Sequence, residues 1–400
     1  MHQFKKPLAL AIFMSGMAAG VAQAQTAPVP SATPAAPAPT TEKAAEPPAP
    51  EPIFSIGGFD LTGHFDVGYS RLKGYGKFVS GVNDRVFDFD RNKGSFHALD
   101  LQLARTPENG FGAVVDLTIG KDADTIAAYG TIDKNRGPAN GVDRRFDVTQ
   151  AYVHFGAAPL TIIAGKYVTS AGAEVIKSDS DTNYSRSILF GYAIPFTHTG
   201  VRATYKISDE LTVLGGINQG WDAVQDTNSD KTLELGGTLT LSKAFSLAGS
   251  LYTGKERVTN YPKSDANGTR NLVDLVATFN VNDQLTLIGN YDYGTQEGGS
   301  ASGGKAKWTG IAAYLNYQFN DQWKMSLRGE YFDDKDGYRT GIAQTWKEAT
   351  LTFAYLPTKA LEIRAEVRAD RSDKQAFLKS DGFTPTNSER SFGVEVLYKF

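Results

Sequence analysis

Charged residues recur at every second position along several segments of this sequence. In residues 361–369, glutamate and arginine fill the even positions, and leucine, isoleucine, alanine and valine fill the odd ones. Side chains two apart on a β-strand point to the same side, so such a strand has one charged face and one apolar face. A row of fixed charges of both signs can attract or repel ions in water, which is the chemistry of a pore wall.

The charged positions that such a wall would use lie on predicted strands and in one long loop. An arginine or lysine that faced lipid at mid-membrane would cost about 2–4 kcal/mol, so we expect these positions to face water or partners. Acidic residues on this face outnumber basic ones, which favours cations. The candidates for lining or narrowing the pore are Glu174, Lys177, Asp179, Asp181, Arg186, Arg202, Arg328, Glu330, Glu362, Arg364, Glu366 and Arg368.

The long loop, residues 169–198, is more apolar than a solvated loop normally is. It includes Ile188, Leu189 and Phe190 in succession. We therefore predict that it folds against the barrel wall or into the lumen, where its charges would form a constriction. The alternative is a rim loop that packs on its neighbours or on another subunit.

Other chemistry has little support in the sequence. There is no G-x-S-x-G motif, and the histidines show no paired ligand spacing; we expect His64 and His154 on the charged face and His97 and His198 in loops. Two D-x-[DN]-x-[DN] runs, which begin at Asp179 and Asp226 without the glycine and glutamate of a calcium loop, are expected to be ordinary polar loops. We therefore predict no catalytic residue, no cofactor and no metal.

Composition excludes further classes. The chain has no cysteine, which excludes a lipoprotein, a disulfide framework and a thiol nucleophile. Its net charge of −3 is too small to indicate nucleic acid as a partner.

The elements that must position the charged face are about sixteen one-sided strands, each near the ten residues that a tilted membrane strand needs. Their predicted centres are residues 65, 101, 115, 151, 164, 203, 215, 237, 249, 275, 289, 314, 327, 352, 365 and 396. The connections alternate between tight turns and long polar loops, as periplasmic turns and extracellular loops do. The fold class is therefore all-β: a transmembrane antiparallel up-and-down β-barrel. A soluble β-sandwich also alternates, but we would expect fully apolar central strands in it.

The chain divides into three parts. Residues 1–24 have the zones of a signal peptide, with Lys5 and Lys6, an apolar stretch and small residues that end at Ala24. Residues 25–55 are an Ala/Pro-rich leader, predicted to be a disordered periplasmic spacer. Residues 56–400 are the barrel, which predicts export to the bacterial outer membrane.

The last strand ends in Phe400, after apolar residues at every second position. This resembles the carboxy-terminal signal that the assembly machinery of outer-membrane barrels reads. We therefore expect this machinery, outer-membrane lipid and small hydrophilic solutes as partners.

The run FDVTQAYVHFG…LTIIAGKYVTSAGAEVI (146–176), followed by NYSRSILFGYAIPFTHTGVRATY (183–205), resembles the OmpL-like family of outer-membrane β-barrel porins. The match is specific over residues 146–205 and general over the rest of the barrel. The resemblance implies an outer-membrane porin; it carries neither a substrate nor binding residues.

These features together predict a water-filled channel for passive diffusion of small hydrophilic solutes or ions. The alternatives are a structural or adhesive barrel without useful conductance and an outer-membrane hydrolase, although the sequence is not typical of an enzyme. The sequence leaves a monomer and a homotrimer open.

Overall fold

A computed structural model of the chain describes residues 52–130, 145–226, 228–258 and 267–400. Within these residues, a short strand β1 (Phe54–Ile56) precedes a ring of sixteen long strands. The first fifteen strands of the ring are β2 (Phe59–Leu72), β3 (Lys93–Arg105), β4 (Asn109–Ile119), β5 (Phe146–Ala157), β6 (Leu160–Val168), β7 (Thr197–Lys206), β8 (Leu211–Asn218), β9 (Thr232–Ser242), β10 (Phe245–Arg257), β11 (Asn267–Asn280), β12 (Leu285–Gln296), β13 (Ala306–Asn320), β14 (Trp323–Asp334), β15 (Gln344–Tyr355) and β16 (Leu361–Ser372).

Two small strands, β17 (Phe377–Leu378) and β18 (Pro385–Thr386), form a hairpin in the last long loop. The final barrel strand is β19 (Ser388–Lys399). Each barrel strand pairs antiparallel with the next one along the chain, and β19 pairs with β2, which closes the ring. All sixteen predicted centres lie within these strands, so the predicted antiparallel β-barrel is confirmed.

The barrel is apolar outside and polar inside, the reverse of a soluble protein. On the outer face, Leu327 is 45% exposed and Val367 is 51% exposed. On the inner face of the same wall, Thr350 and Thr352 are each 1% exposed. Apolar side chains that remain outside while hydroxyls are buried need hydrocarbon around them, which is the requirement of a membrane barrel.

The two ends of the barrel differ in their connections. Seven turns on one side are short, such as residues 243–244 and 321–322. Eight connections on the other side are longer, and the loop 169–196 is among the longest. Aromatic rings also pair on the outer wall near the short turns, as in Trp323 and Tyr355, whose centroids are 4.7 Å apart. Amphipathic rings favour the headgroup level, so the short-turn side lies at one membrane surface.

Helical structure is confined to the long loops. Helix α1 (Lys121–Ile126) follows β4, and short 3₁₀ and π-helical turns occupy Ser178–Ser180 and Leu189–Ala193. Among the described residues, no helix has the length and hydropathy to cross a membrane.

The barrel encloses a hydrophobic cluster to which loops and the inner wall both contribute. Leu189 and Phe190, from the loop 169–196, pack with Trp308 and Trp346 of the inner wall. From the loop 73–92, Phe78 also joins, with its ring centroid 5.0 Å from that of Trp346. The lumen on the long-loop side is therefore largely filled by folded loops.

The structure differs from the sequence-based boundaries at two histidines and at the end of the long loop. His97 and His198 lie in β3 and β7, not in loops, because both strands begin before the polarity pattern becomes regular. The long loop consequently ends at residue 196. The leader expected over residues 25–55 lies outside the described residues except for its last four, of which Phe54 and Ser55 pair with β2. The proposed signal peptide, residues 1–24, also lies outside the described residues.

Candidate functional site

The inward loop, residues 169–196, crosses the barrel lumen and contacts strands on several sides of it. Near its start, the Ser170 hydroxyl donates to Glu234 of β9 at 3.0 Å. Further on, the Ala173 amide donates to Asn290 of β12 at 3.3 Å. The Ser178 hydroxyl then donates to Asp66 of β2 at 2.6 Å. The inward loop is therefore bound to strands β2, β9 and β12. It makes more contacts with β14 and β16.

Arg328 of β14 is the most connected anchor of the inward loop. Its Nη1 lies 2.8 Å from Oε1 of Glu174 and donates to the Ser185 carbonyl at 2.6 Å. Its Nε lies 3.0 Å from Oε1 of Glu348 on the neighbouring strand β15. The Arg328 side chain is fully buried, so it joins wall to loop with its charge compensated on both sides.

Two arginines of β16 repeat this arrangement. The Arg364 Nη2 donates to the Asp181 carbonyl at 2.6 Å, and its Nη1 lies 2.9 Å from Glu395 of β19. The Arg368 Nη1 donates to the Arg186 carbonyl at 2.7 Å. Three wall guanidinium groups thus hold carbonyl groups of the loop between residues 181 and 186.

Two wall glutamates hold the loop by its amide groups. Glu366 of β16 accepts from the amides of Tyr184 at 2.8 Å and Ser185 at 3.1 Å. Glu330 of β14 accepts from the amides of Ile188 at 2.8 Å and Leu189 at 3.0 Å. A carboxylate that accepts from two consecutive amides compensates backbone groups that would otherwise be unsatisfied in the interior.

At β3 and β4, Lys177 anchors the inward loop. The Lys177 Nζ lies 2.7 Å from Asp100 of β3 and 3.2 Å from Asp116 of β4. Burial lowers the pKa of the Lys177 ammonium, but the two carboxylates outweigh burial and the net shift is upward. Lys177 is therefore charged at neutral pH, and its side chain keeps 25% of its exposure.

Tyr184 and Asp179 of the inward loop make further contacts with β2 and β3. The Tyr184 hydroxyl lies 2.8 Å from Ser70 of β2 and 3.0 Å from His97 Nε2 of β3. Burial raises the pKa of the Tyr184 phenol, which stays neutral. His64 Nδ1 lies 3.7 Å from Asp179. His64 and His154 are both buried on the inner wall.

The structure divides the twelve candidate residues into two groups. Lys177, Asp179 and Arg202 keep exposures of 25%, 17% and 11% in their side chains and lie towards β2–β7. The other nine are buried; eight of them take part in contacts of the inward loop, whereas Glu362 pairs with Arg364 and Lys324 of the barrel wall. Those nine are Glu174, Asp181, Arg186, Arg328, Glu330, Glu362, Arg364, Glu366 and Arg368.

Space remains in the lumen beside the inward loop. A cavity of about 370 Å³ lies between its first half and the wall of β3–β6. Asp116 and Gln150 line it from the wall, and Ser170, Glu174 and Lys177 line it from the loop. A second cavity of about 180 Å³ opens on the short-turn side of the loop. Apolar side chains, such as Phe190 and Phe196 in the larger cavity and Met325 in the smaller one, line them together with these polar groups.

Sequence reasoning missed a second loop that enters the barrel, residues 73–92. Its Arg85 Nη2 lies 2.7 Å from Asp370 of β16, and both side chains are buried. Phe78 and Phe87 pack in the core cluster. The signal was present in the sequence, because this loop has an apolar content like that of the inward loop.

Comparison with protein families gives one match to the whole barrel. The family model described as "Putative beta-barrel porin-2, OmpL-like" matches residues 58–400. The chain belongs to this family. This OmpL-like porin is therefore an outer-membrane channel for the diffusion of solutes, as its resemblance at residues 146–205 had implied. A comparison with curated proteins gives no match.

Solved structures with the same fold include the outer-membrane channel DcaP of Acinetobacter baumannii. It is 14% identical to this porin, with a TM-score of 0.57 over 88% of this chain and 100% of that one. An anion-selective porin from Comamonas acidovorans is 12% identical, with a TM-score of 0.58 over 86% and 99% of the two chains. The trimer form of OmpT from Vibrio cholerae is 13% identical, with a TM-score of 0.56 over 86% and 99%. At these identities the likeness shows the fold alone.

Proposed function

We propose that this porin is a narrow diffusion channel whose width is set by the inward loop. The observation that carries the proposal is the buried contact between Arg328, Glu174 and Glu348, which fixes the loop across the lumen. Because the loop is held against β14–β16, the space left for solutes lies along β3–β6. A loop with this many buried charge contacts resists displacement, so the passage stays narrow.

The charges beside the passage favour small cations weakly. Asp100, Asp116 and Glu174 contribute three negative charges near the cavity, whereas Lys177 contributes one positive charge beside it. Glu174 is compensated by Arg328, which leaves one net negative charge at the Lys177 contact. In a confined polar space one uncompensated charge is enough to bias which ions enter.

Swelling of liposomes that contain the refolded porin tests the channel. We expect permeation of small sugars and amino acids that falls steeply with solute size, as expected for a narrow passage. Liposomes that contain the heat-denatured chain are the control. A folded barrel that passes none of these solutes would favour the structural or adhesive alternative. A hydrolase assay on the same sample tests the enzyme alternative. No arrangement of residues in the described chain supports that alternative.

Export and assembly are proposed from the two ends of the sequence. Residues 1–24 act as a cleaved signal peptide, so the mature chain begins at Gln25. At the other end, the Phe400 amide and carbonyl both bond to Gly63 of β2, at 2.9 and 2.8 Å, which puts the terminal residue at the closing seam. We propose that the assembly machinery reads this end. N-terminal sequencing of the outer-membrane form and deletion of Phe400 test the two statements separately.

We propose that three copies of the barrel associate through the outer wall of β11–β15. Small residues occupy directly paired positions there and leave an apolar hollow of about 630 Å³. The row comprises Ala277, Gly289, Ala313, Gly329 and Ala349. A second copy fits such a wall closely, and the OmpT solved structure with this fold has a trimer form. Light scattering in detergent should give a trimer for the wild type and a smaller species for Gly329→Trp; a monomeric wild type would overturn this.

A further inference from the structure

Four adjacent strands carry exposed cations on the outer face of the barrel at its long-loop end. These cations, called the basic rim below, are Arg71 of β2, Lys347 of β15, Arg371 of β16 and Arg390 of β19. Each continues the row of outward residues on its strand; Arg71, for example, follows Tyr69, which is 42% exposed. The basic rim therefore faces away from the lumen and has no part in the channel.

Strand register brings these cations together. Lys347 is directly opposite Arg371 in the pairing of β15 and β16. Arg390 is opposite Ala369, two residues from Arg371. Arg71 is opposite Phe392, two residues from Arg390. Direct partners in an antiparallel pair have Cβ atoms about 5 Å apart, and diagonal neighbours about 7–8 Å, so the four form a continuous row.

No carboxylate forms an ion pair with the basic rim among the described residues. Neither Lys347 nor any of the three arginines has an ion pair within 4.0 Å in the described chain, and the Lys347 ammonium contacts only the ring of Tyr331, at 5.5 Å. An exposed lysine can find such a partner, as Lys206 does with Asp209 at 2.6 Å. Like charges placed directly opposite each other destabilise a sheet. A bound anion from outside the chain would therefore reduce the repulsion between Lys347 and Arg371.

The depth of the basic rim indicates where that anion comes from. Below Lys347 and Arg371 on the same strands lie Ala349 and Ala369, which are paired with each other. Val367, the next outward residue of β16, is 51% exposed to the hydrocarbon. The cations thus lie just above the apolar band, at headgroup level on the side of the long loops, and the small side chain of Ala369 leaves room for acyl chains beneath them.

We propose that the basic rim binds a phosphate-bearing, acylated glycolipid of the outer leaflet. Arginine binds phosphate through paired N–H donors, and the row offers three guanidinium groups and one ammonium on a single surface. The acyl chains would lie over Ala369 and Val367 of β16, outside the hollow proposed for the trimer contact. A free phosphate ion would use the cations without the apolar surface below them, so the combination favours the lipid.

Native mass spectrometry of the full mature barrel, titrated with bis-phosphorylated lipid A in detergent, tests this. Removing surface cations should weaken binding about fivefold for each charge, so Lys347→Gln/Arg371→Gln/Arg390→Gln should lose about a hundredfold. The control Lys243→Gln/Lys359→Gln removes charge from the short-turn rim and should bind as the wild type does. Lipid A without phosphates should bind the wild type about as weakly as the triple variant binds the intact lipid.

Two results would overturn the proposal: equal affinity of the triple variant and the wild type, or equal affinity of the two lipids for the wild type. The single variant Arg371→Gln, expected to lose about fivefold, provides the test if the triple variant does not refold. Single-channel conductance should be the same in all these variants, because the basic rim lies outside the lumen. An inactive channel with intact lipid binding would therefore count against the proposed function alone.

Discussion

Arg328 and Glu174 form a fully buried ion pair, 2.8 Å apart, that joins the barrel wall to a loop inside it. The two residues are 154 positions apart in the sequence, so only the closed barrel brings them together. Such a pair costs desolvation and adds little net stability, but removing one partner leaves the other charge buried and uncompensated. The pair therefore fixes where the loop lies.

Arg328→Met should destabilise the folded barrel by about 3–5 kcal/mol, because Glu174 and Glu348 would then lack their shared partner. It should also raise single-channel conductance, since the inward loop would lose an anchor. Unfolding in guanidinium chloride measures the first effect. Lys206→Met, which removes the exposed pair with Asp209, should change stability by less than about 1 kcal/mol. Equal losses in the two variants would contradict the anchoring role of Arg328.

Lys177→Gln should make the channel more selective for cations. The variant removes the positive charge that lies between Asp100 and Asp116, so both carboxylates would act on ions in the passage. Reversal potentials in a potassium chloride gradient measure the change. Lys243→Gln, in a short turn outside the lumen, should leave the reversal potential unchanged. An unchanged reversal potential for Lys177→Gln would show that this lysine does not lie beside the ion path.

Asp84→Asn should remove part of the pH dependence of stability. Burial raises the pKa of Asp84 well above its usual range, and the carboxylate of Glu389 raises it further. The folded state then holds a proton that the unfolded chain releases above pH of about 3.9, so this contribution is present at low pH and is lost as pH rises. Thermal unfolding from pH 5 to 8 should show a steeper loss for the wild type than for Asp84→Asn.

The control for that experiment is Asp381→Asn. Hydrogen bonds from Thr384 and the Phe383 amide lower the pKa of the exposed Asp381 to about 2. This carboxyl is ionised throughout the range from pH 5 to 8, so its replacement should leave the slope as in the wild type. Parallel slopes for the wild type and Asp84→Asn would refute the buried, protonated state of Asp84.

Leu327→Arg should destabilise the barrel in vesicles by about 2–4 kcal/mol, because this outward residue lies near mid-membrane. Tyr331→Arg, on the same face but nearer the long loops, should cost only about 0–1 kcal/mol. Equilibrium refolding into vesicles gives both values. Equal costs at the two depths would mean that this face does not lie across the hydrocarbon.

The alternation of residues predicted the barrel because one physical rule acts on every strand. Thr350 and Thr352 face inward and Leu351 and Phe353 face outward, and the same period recurs in other barrel strands, with register shifts in the β2–β3 and β4–β5 pairs. His97 and His198 were misplaced because strand ends carry no regular polarity. The apolar residues at Ile188–Phe190 correctly indicated that the loop 169–196 buries apolar surface.

The partners of each charge could not be predicted from the sequence. Pairs such as Arg328 with Glu174, or Arg85 with Asp370, depend on loop paths that no periodicity encodes. The loop 73–92 was missed for the same reason, although Phe78 and Phe87 gave a comparable apolar signal. The local alternation of residues determines which face of a strand is polar. The closure of the barrel and the paths of its loops determine which charged side chains come into contact.

The most direct test of the account is single-channel recording in planar bilayers, with the wild type and a variant that lacks residues 174–190. We predict a low, steady conductance for the wild type and a severalfold higher one for the variant, because the deletion removes the segment held by Arg328, Arg364 and Arg368. Refolding of both barrels is checked by their heat-modifiable migration in gels. An unchanged conductance after the deletion would contradict the claim that the inward loop sets the width of the channel.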